Sequence, residues 1–228
     1  MEQTKPNKNK WISFLADGVL SGLMLGVGGM VSLSSENRFL GAFLFSLGLF
    51  CIVQFKYGLF TGKVGYIVNR DLPYVAETAV TLVGNALGTL IAALLLRQVR
   101  FFTSTVSTMD VTISDRVQAT VDGKIHDNPL SIFILAIFCG ILMFTAVEGS
   151  RKCKEEKNFA GSLFVVVMPV MVFIICGFNH CIADMFYYFF AGCPEPSKAI
   201  VYFILAIAGN SVGGMIVPLL KKLSNQPL

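Results

Sequence analysis

The sequence predicts an all-α membrane protein with six transmembrane helices, arranged as two inverted repeats of three helices in which the second and fifth helices are broken. Three observations predict this fold. The chain of 228 residues is 54% hydrophobic and only 14% charged, whereas a soluble domain carries about 25% charged residues. Its apolar residues fall into six long runs, and two motifs recur in the two halves of the chain.

Each apolar run is long enough to span a lipid bilayer, because a helix needs roughly 20 residues to cross the hydrocarbon core. The second and fifth runs are too long for one span. Gly58 and Lys63 interrupt the second near its centre, and Gly177 and His180 interrupt the fifth, so we predict broken helices there. The six runs lie at residues 12–33, 39–69, 73–97, 128–149, 159–190 and 197–220.

An internal repeat relates the two halves. Residues 84–91 read Gly-Asn-Ala-Leu-Gly-Thr-Leu-Ile, and residues 209–216 read Gly-Asn-Ser-Val-Gly-Gly-Met-Ile. The interruptions at 58–61 and 177–180 also correspond. Because each half has three spans, the second half must enter the membrane from the opposite side. This predicts an inverted repeat, in which paired broken helices mark a site near the bilayer midplane.

The predicted topology is one transmembrane domain with both termini in the cytoplasm. The first repeat (12–97) and the second (128–220) are joined by an external link (98–127), rich in Ser, Thr and Asp, that we expect to form a partly ordered cap. The cytoplasmic termini are 1–11 and 221–228. The predicted inner segments carry more Lys and Arg than the outer ones, which favours this orientation in the cell (inner or plasma) membrane.

Two asparagines lie at equivalent places in the third and sixth spans. A Gly-Asn-x-x-Gly pattern lets a neighbouring backbone come close while the amide bonds to it, and this is the role we expect for Asn85. For Asn210 the same role and a place along a transport pathway both stay open, because the broken fifth helix can expose it.

The helix breaks predict a site for an anion. Half-helices that begin after a break direct their positive N-terminal ends toward the midplane. An ionisable side chain inside a membrane usually lines a pathway, so we expect His180 to do so. Its counterpart in the repeat, Thr61, can bond either the imidazole or a permeant anion.

Other charged residues leave alternatives open. Lys63 either lies in the pathway or extends to the inner interface. Asp184 follows His180 by about one turn and either orients a ring or partner or bonds to backbone. Asp17 and Lys56 lie near predicted helix ends and are expected at the interfaces.

We expect no metal, cofactor or enzymatic activity. The cysteines form no Cys-x-x-Cys pair, most lie in apolar runs, and we interpret them as small buried side chains. A membrane enzyme or metal carrier built on His180 and Cys181 is a further alternative, but it has too few ligands for a closed site. The net charge of +4 is modest and lies in short connections, so it gives no reason to expect nucleic-acid binding.

Three motifs, in order along the chain, resemble those of the formate/nitrite transporter family, and the resemblance extends from the first span to Leu220. Residues 59–62 (Leu-Phe-Thr-Gly) are similar to the family's Leu-Phe-Thr loop. Residues 177–186 are similar to its Gly-Phe-Glu-His-x-x-Ala-Asn-Met-Phe block, and residues 209–214 carry Gly-Asn-x-x-Gly-Gly. Their order, at corresponding breaks, makes the resemblance specific.

The resemblance implies an aquaporin-like protomer, a homopentamer with a pore in each subunit, and passage of formate, nitrite, hydrosulfide or related small monovalent anions. It implies that His180 lies midway along the pore and bonds to Thr61, with Asn179 beside it in the pathway. It also implies that Lys124 makes the site electropositive. Hydrophobic constrictions flanking the histidine are implied at Phe45, Leu49, Leu59, Phe60 and Phe173.

Four positions depart from the family pattern. Asn179 replaces the glutamate before the histidine, and Asp184 replaces the asparagine of the Ala-Asn-Met-Phe block. Gly140 stands where the fourth span often has a polar residue, and Lys63 is not part of the usual loop. We expect an anion pore despite these changes, which leave the substrate open.

The function we expect is a channel or transporter for small anions of weak acids, linked to protons through His180. A histidine can give a proton to a weak-acid anion near neutral pH, and a neutral acid crosses an apolar constriction at lower cost than a charge. The alternative is an aquaporin-like channel for small neutral solutes. The lack of an Asn-Pro-Ala pair in either break, and the presence of Lys63 and Lys124, favour anions.

Overall fold

The computed structural model describes residues 9–106 and 110–224, and these are almost entirely helical. The helices are α1 (Lys10–Ser34), α2 (Arg38–Phe55), α3 (Phe60–Lys63), α4 (Leu72–Leu96), α5 (Ile113–Ile125), α6 (Pro129–Glu155), α7 (Phe159–Cys176), α8 (Cys181–Ala191) and α9 (Pro196–Leu223). Short 3₁₀ helices cover Val64–Asn69 and Arg100–Thr103. Strands β1 (Thr105–Val106) and β2 (Val111–Thr112) form a small antiparallel pair.

Six of the described helices, α1, α2, α4, α6, α7 and α9, are long and apolar enough to cross a membrane. The prediction of six membrane helices is therefore confirmed, and the chain is a multi-pass membrane protein. Large apolar side chains on these helices face outward, as at Phe39 and Leu72, which are 62% and 84% exposed. Such side chains suit lipid rather than water as their surroundings.

Each of the two overlong apolar runs contains two helical segments. In the fifth run α7 ends at Cys176 and is capped by Gly177, whose φ of +70° is left-handed, and α8 begins at Cys181. In the second run α2 ends at Phe55 and is capped by Lys56, and the four-residue α3 continues directly as a 3₁₀ helix to Asn69. This second segment is shorter and less regular than the half-helix we expected, because Gly62 and Gly65 weaken helix formation.

Glycines allow α1 to pack closely against α4, and α6 against α9. A Cβ atom at Gly18 would lie 2.8 Å from the carbonyl oxygen of Thr81 and 3.0 Å from the Cα of Gly84. A Cβ atom at Gly140 would lie 2.9 Å from the Cα of Asn210. Each half of the chain therefore contains one tightly packed helix pair, and each pair carries one of the two asparagines.

The link between the halves is more ordered than its composition suggested. Its helix α5 buries Ile113, Val117, Val121 and Ile125 and packs against α8. A capping box starts the helix: the backbone N–H of Asp115 donates to the Thr112 hydroxyl (3.1 Å), and the backbone N–H of Thr112 donates to the Asp115 carboxylate (3.1 Å). The Thr112 hydroxyl also donates to this carboxylate (2.7 Å), and together with the backbone bond it lowers the pKa of Asp115.

Candidate functional site

Asn85 holds the chain where α3 begins. Its side-chain oxygen accepts a hydrogen bond from the backbone N–H of Phe60 at 2.9 Å. Its amide nitrogen donates to the carbonyl oxygens of Gly58 (2.8 Å) and Gly18 (2.9 Å). The side chain therefore joins α4 to α1 and to the interruption itself, which is the interhelical role expected for it.

Asn210 makes the matching set of bonds where α8 begins. Its oxygen accepts from the N–H of Cys181 (2.9 Å), and its amide donates to the carbonyls of Asn179 (2.8 Å) and Ala136 (2.8 Å). The side chain is fully buried, and both amide hydrogens are in use. Of the two roles left open for Asn210, these contacts favour holding the backbone over lining a pathway.

His180 is the N-cap residue of α8 and is 1% exposed. Its Nδ1 accepts a hydrogen bond from the backbone N–H of Ala183 at 3.1 Å. Its Nε2 lies 3.1 Å from the hydroxyl oxygen of Thr61, which is also buried. The structure thus brings together the two polar residues that occupy equivalent places in the sequence repeat.

These contacts assign the proton on the imidazole ring. Nδ1 must carry a lone pair to accept from the Ala183 N–H, so a neutral ring has its proton on Nε2. The ring then donates from Nε2 to the Thr61 hydroxyl. A second proton could bind only at Nδ1, where it would displace the hydrogen bond at the helix N-terminus.

The five residues expected at constrictions are all buried: Phe45, Leu49, Leu59, Phe60 and Phe173. The rings of Phe45 and Phe173 meet edge to face, with centroids 5.7 Å apart. Phe173 also stacks on the His180 ring at 5.6 Å. Phe173 therefore places an apolar ring directly against the histidine, with Phe45 behind it.

Two cavities approach this buried centre. The first, which we call the Lys124 cavity, has a volume of about 460 Å³ and is bordered by Phe173, Arg38, Arg116, Lys124 and Asp184 among others. The second, the Lys63 cavity, has a volume of about 390 Å³ and is bordered by Leu59, Lys56, Lys63, Arg151 and Lys154 among others. Both cavities are lined with basic residues, so each favours the approach of an anion.

Lys124 is held by two of the four positions at which the sequence departs from the family pattern. Its ammonium group donates to the side-chain oxygen of Asn179 at 2.8 Å and lies 3.2 Å from a carboxylate oxygen of Asp184. The other carboxylate oxygen accepts from the Tyr202 hydroxyl at 2.6 Å. Of the roles left open for Asp184, the structure favours positioning a partner.

Lys63 is half-buried, and the charges of Glu77 and Asp17 act on it. Its ammonium group lies 4.5 Å from the centre of the Phe14 ring and 3.3 Å from the Thr81 hydroxyl, to which it donates. The side chain borders the Lys63 cavity without reaching Thr61 or His180 through any hydrogen bond in the described residues. Its charge therefore acts at the cavity rather than at the centre.

Sequence reasoning missed two contributors to this site. Tyr202 gave no signal, because a tyrosine in an apolar run is commonly a packing residue. Arg116 lies on α5, whose apolar residues recur at every fourth position from Ile113 to Ile125, and this spacing could have predicted the helix. No group of three or more His, Cys, Asp or Glu side chains that could hold a metal ion occurs in residues 9–106 and 110–224.

Comparisons with known proteins agree with this architecture. A solved structure described as a pentameric formate channel with formate bound superposes with a TM-score of 0.75, covering 97% of this chain and 99% of that one at 23% identity. A second, described as an FNT family ion channel, gives a TM-score of 0.76 over 95% of this chain and 90% of that one, at 16% identity. At these identities the likeness shows the fold.

Sequence comparison shows the family. The formate channel FocA of Haemophilus influenzae is 26% identical over 194 residues, which are 80% of this chain and 67% of that protein. The sequence profile of the family described as formate/nitrite transporter matches residues 2–222. A match of this extent covers nearly the whole chain, and the chain therefore belongs to the formate/nitrite transporter family.

Proposed function

We propose that this chain is a channel or transporter for small monovalent anions of weak acids, such as formate, nitrite or hydrosulfide, which pass His180 and Thr61 between two constrictions. The observation that carries the proposal is a buried imidazole–hydroxyl pair between two cavities lined with basic residues. Phe173 borders one cavity and Leu59 the other. The apolar side chains of such constrictions make the passage of an unneutralised charge energetically costly.

The two halves of the chain act as inverted repeats with interrupted second and fifth helices. The hydrogen bonds of Asn85 and Asn210 support this, because each asparagine bonds to the first N–H after an interruption, to a carbonyl within it, and to a neighbouring long helix. A short sequence repeat can arise by chance in glycine-rich helices. Chance does not readily give two asparagines the same three kinds of hydrogen bond, so the shared contacts support the repeat more strongly than the sequence does.

The positive end of α8 helps to hold an anion near His180. This helix has 11 residues, enough to develop a dipole, and it begins directly after the histidine. The four-residue α3 adds little of this kind. Electrostatic attraction at the centre therefore comes mainly from the second half of the chain.

Transport is linked to protons through His180. A proton from water binds Nδ1 and releases the Ala183 N–H, and the resulting imidazolium gives its Nε2 proton to a weak-acid anion. The neutral acid crosses the next constriction and ionises again in the far cavity. After this transfer the ring carries its proton on Nδ1. It takes a proton from water at Nε2 and loses the Nδ1 proton to water, which restores the hydrogen bond with Ala183. The break at the α8 N-terminus is therefore transient, and the cationic ring is short-lived.

The proton link is tested by uptake of labelled formate or nitrite into liposomes between pH 5 and pH 8, corrected for protein-free liposomes. We expect the flux through the native chain to rise as pH falls. His180→Asn keeps an N-cap acceptor but does not titrate, so its flux should be lower and independent of pH. His180→Ala loses both the N-cap acceptor and the titratable ring.

A native flux that ignores pH, or a His180→Asn flux equal to the native one, would exclude the relay and leave the anion pore itself standing. The neutral-solute alternative receives no support from the comparisons.

The assembly and its orientation follow from the same proposal. The fold likeness to a pentameric channel supports a homopentamer with one pore in each subunit. The basic residues at the ends of α6 and α9, such as Lys152 and Lys221, support cytoplasmic termini. In this orientation the Lys63 cavity opens to the cytoplasm and the Lys124 cavity to the outside.

A further inference from the structure

The positive charge of the Lys124 cavity does not come from Lys124 alone. Lys124 is paired with Asp184, and Glu36 also borders the cavity. Two guanidinium groups remain, those of Arg38 and Arg116. In the part of the chain that the structure describes, neither lies within 4.0 Å of a carboxylate oxygen.

Both arginines are fixed in place by carbonyl oxygens at helix ends. Arg116 donates from Nη1 to Ser35 at 2.8 Å and to Leu33, at the end of α1. Arg38 donates from Nη2 to Ile174, near the end of α7, at 3.2 Å. Within residues 9–106 and 110–224 the guanidinium group of Arg116 makes no other hydrogen bond, so its Nε–H and Nη2–H groups have no acceptor there.

We propose that Arg116, assisted by Arg38, forms a recruitment site in the Lys124 cavity that selects planar anions with two oxygen atoms, carboxylates and nitrite, over an anion with one acceptor atom such as hydrosulfide. This proposal rests on the proposed function and narrows its substrate class. A guanidinium group presents parallel N–H groups that match two oxygens at once. The single sulfur atom of hydrosulfide can meet both N–H groups only through bent hydrogen bonds to one atom, so it gains less from the fork.

The position of the site suits this role. Phe173 borders the same cavity and stacks on His180, so an anion held by Arg116 waits next to the first constriction. Arg116 is half-buried, so salt screens its attraction for an anion less than it would screen that of an exposed arginine. Lys124 is already bonded to Asn179 and Asp184. Its ammonium group adds positive charge but has no pair of parallel N–H groups to offer two oxygen atoms.

The test compares the native chain with Arg116→Lys, which keeps the charge and removes the fork. In liposomes at alkaline pH, one measures the half-saturating concentration of labelled formate and the concentration of hydrosulfide that halves formate uptake. We expect Arg116→Lys to raise the half-saturating concentration of formate about tenfold, as for loss of one hydrogen bond between charged groups. The concentration of hydrosulfide that halves formate uptake should change less than twofold. Arg38→Lys should act in the same direction, more weakly.

Arg100→Lys is the matched control, because Arg100 lies in the same link and contacts Phe101 without bordering the cavity. The uptake rate at saturating formate reports on folding, since a collapsed variant would lose uptake at every concentration. Equal weakening of formate and hydrosulfide, or no weakening of either, would overturn the two-oxygen selection. If the native chain carries none of these anions, the proposed function itself fails.

Discussion

Replacing Asn210 with alanine is expected to destabilise the folded protein by about 4 kcal/mol, because two buried backbone groups lose their partners at roughly 1–3 kcal/mol each. These groups are the Cys181 N–H and the Asn179 carbonyl, which lie on either side of His180. The free energy of unfolding, measured by SDS titration of the protein in mixed micelles, provides the check. Anion uptake should be lost with it, because the loop that carries His180 is no longer held.

Ser211→Ala is the matched control for this prediction. Ser211 is the next residue on α9, and among the described residues its hydroxyl bonds only to the carbonyl of Ile207 in its own helix. We expect it to change stability by less than about 0.5 kcal/mol, as is usual away from special sites. If Asn210→Ala is no less stable than Ser211→Ala, the asparagine does not hold the interruption.

Replacing Lys124 with methionine is expected to lower the free energy of unfolding by about 3 kcal/mol, because it leaves the buried Asp184 carboxylate without its counter-charge. Asp184 is only 4% exposed and would keep only the Tyr202 hydroxyl as a side-chain donor. Anion uptake should fall at least about tenfold, the change that 1.4 kcal/mol of lost attraction produces. Thermal unfolding and formate uptake measure the two effects separately.

The double variant Lys124→Met, Asp184→Asn separates stability from recruitment. An amide at 184 removes the unpaired charge, so most of the stability should return, while uptake should stay low because the positive charge is still missing. Recovery of uptake along with stability would mean that Lys124 serves the fold alone.

Much of the fold was predictable from hydrophobicity, because the bilayer forces apolar runs of fixed length into helices. The six membrane helices are confirmed, and their ends differ from the predicted runs mainly where polar residues continue a helix beyond the membrane, as α6 does to Glu155. The link was harder to predict. Its helix α5 shows only one apolar face, and a search for long apolar runs passes over the regular spacing of Val117 and Val121.

The candidate site was predictable where a residue is unusual for its surroundings, and less so elsewhere. A histidine and an asparagine inside apolar spans demand partners, so His180 and Asn85 stand out in the sequence. The partners of Asp184 could not be predicted from the sequence. Its contacts with Lys124 and Tyr202 join residues far apart in the chain and depend on how α5, α8 and α9 pack. The place of Lys63 was likewise decided by packing, against Phe14 of α1.

The most direct test of an anion pore past His180 is a stopped-flow comparison of solutes on reconstituted protein. Proteoliposomes containing the native chain are mixed in turn with formate, nitrite and glycerol, and their rates are compared with protein-free liposomes. We predict rapid entry of at least one anion, no accelerated entry of glycerol, and a strong reduction of the anion rate by His180→Asn. Accelerated glycerol entry with no anion flux would contradict the account.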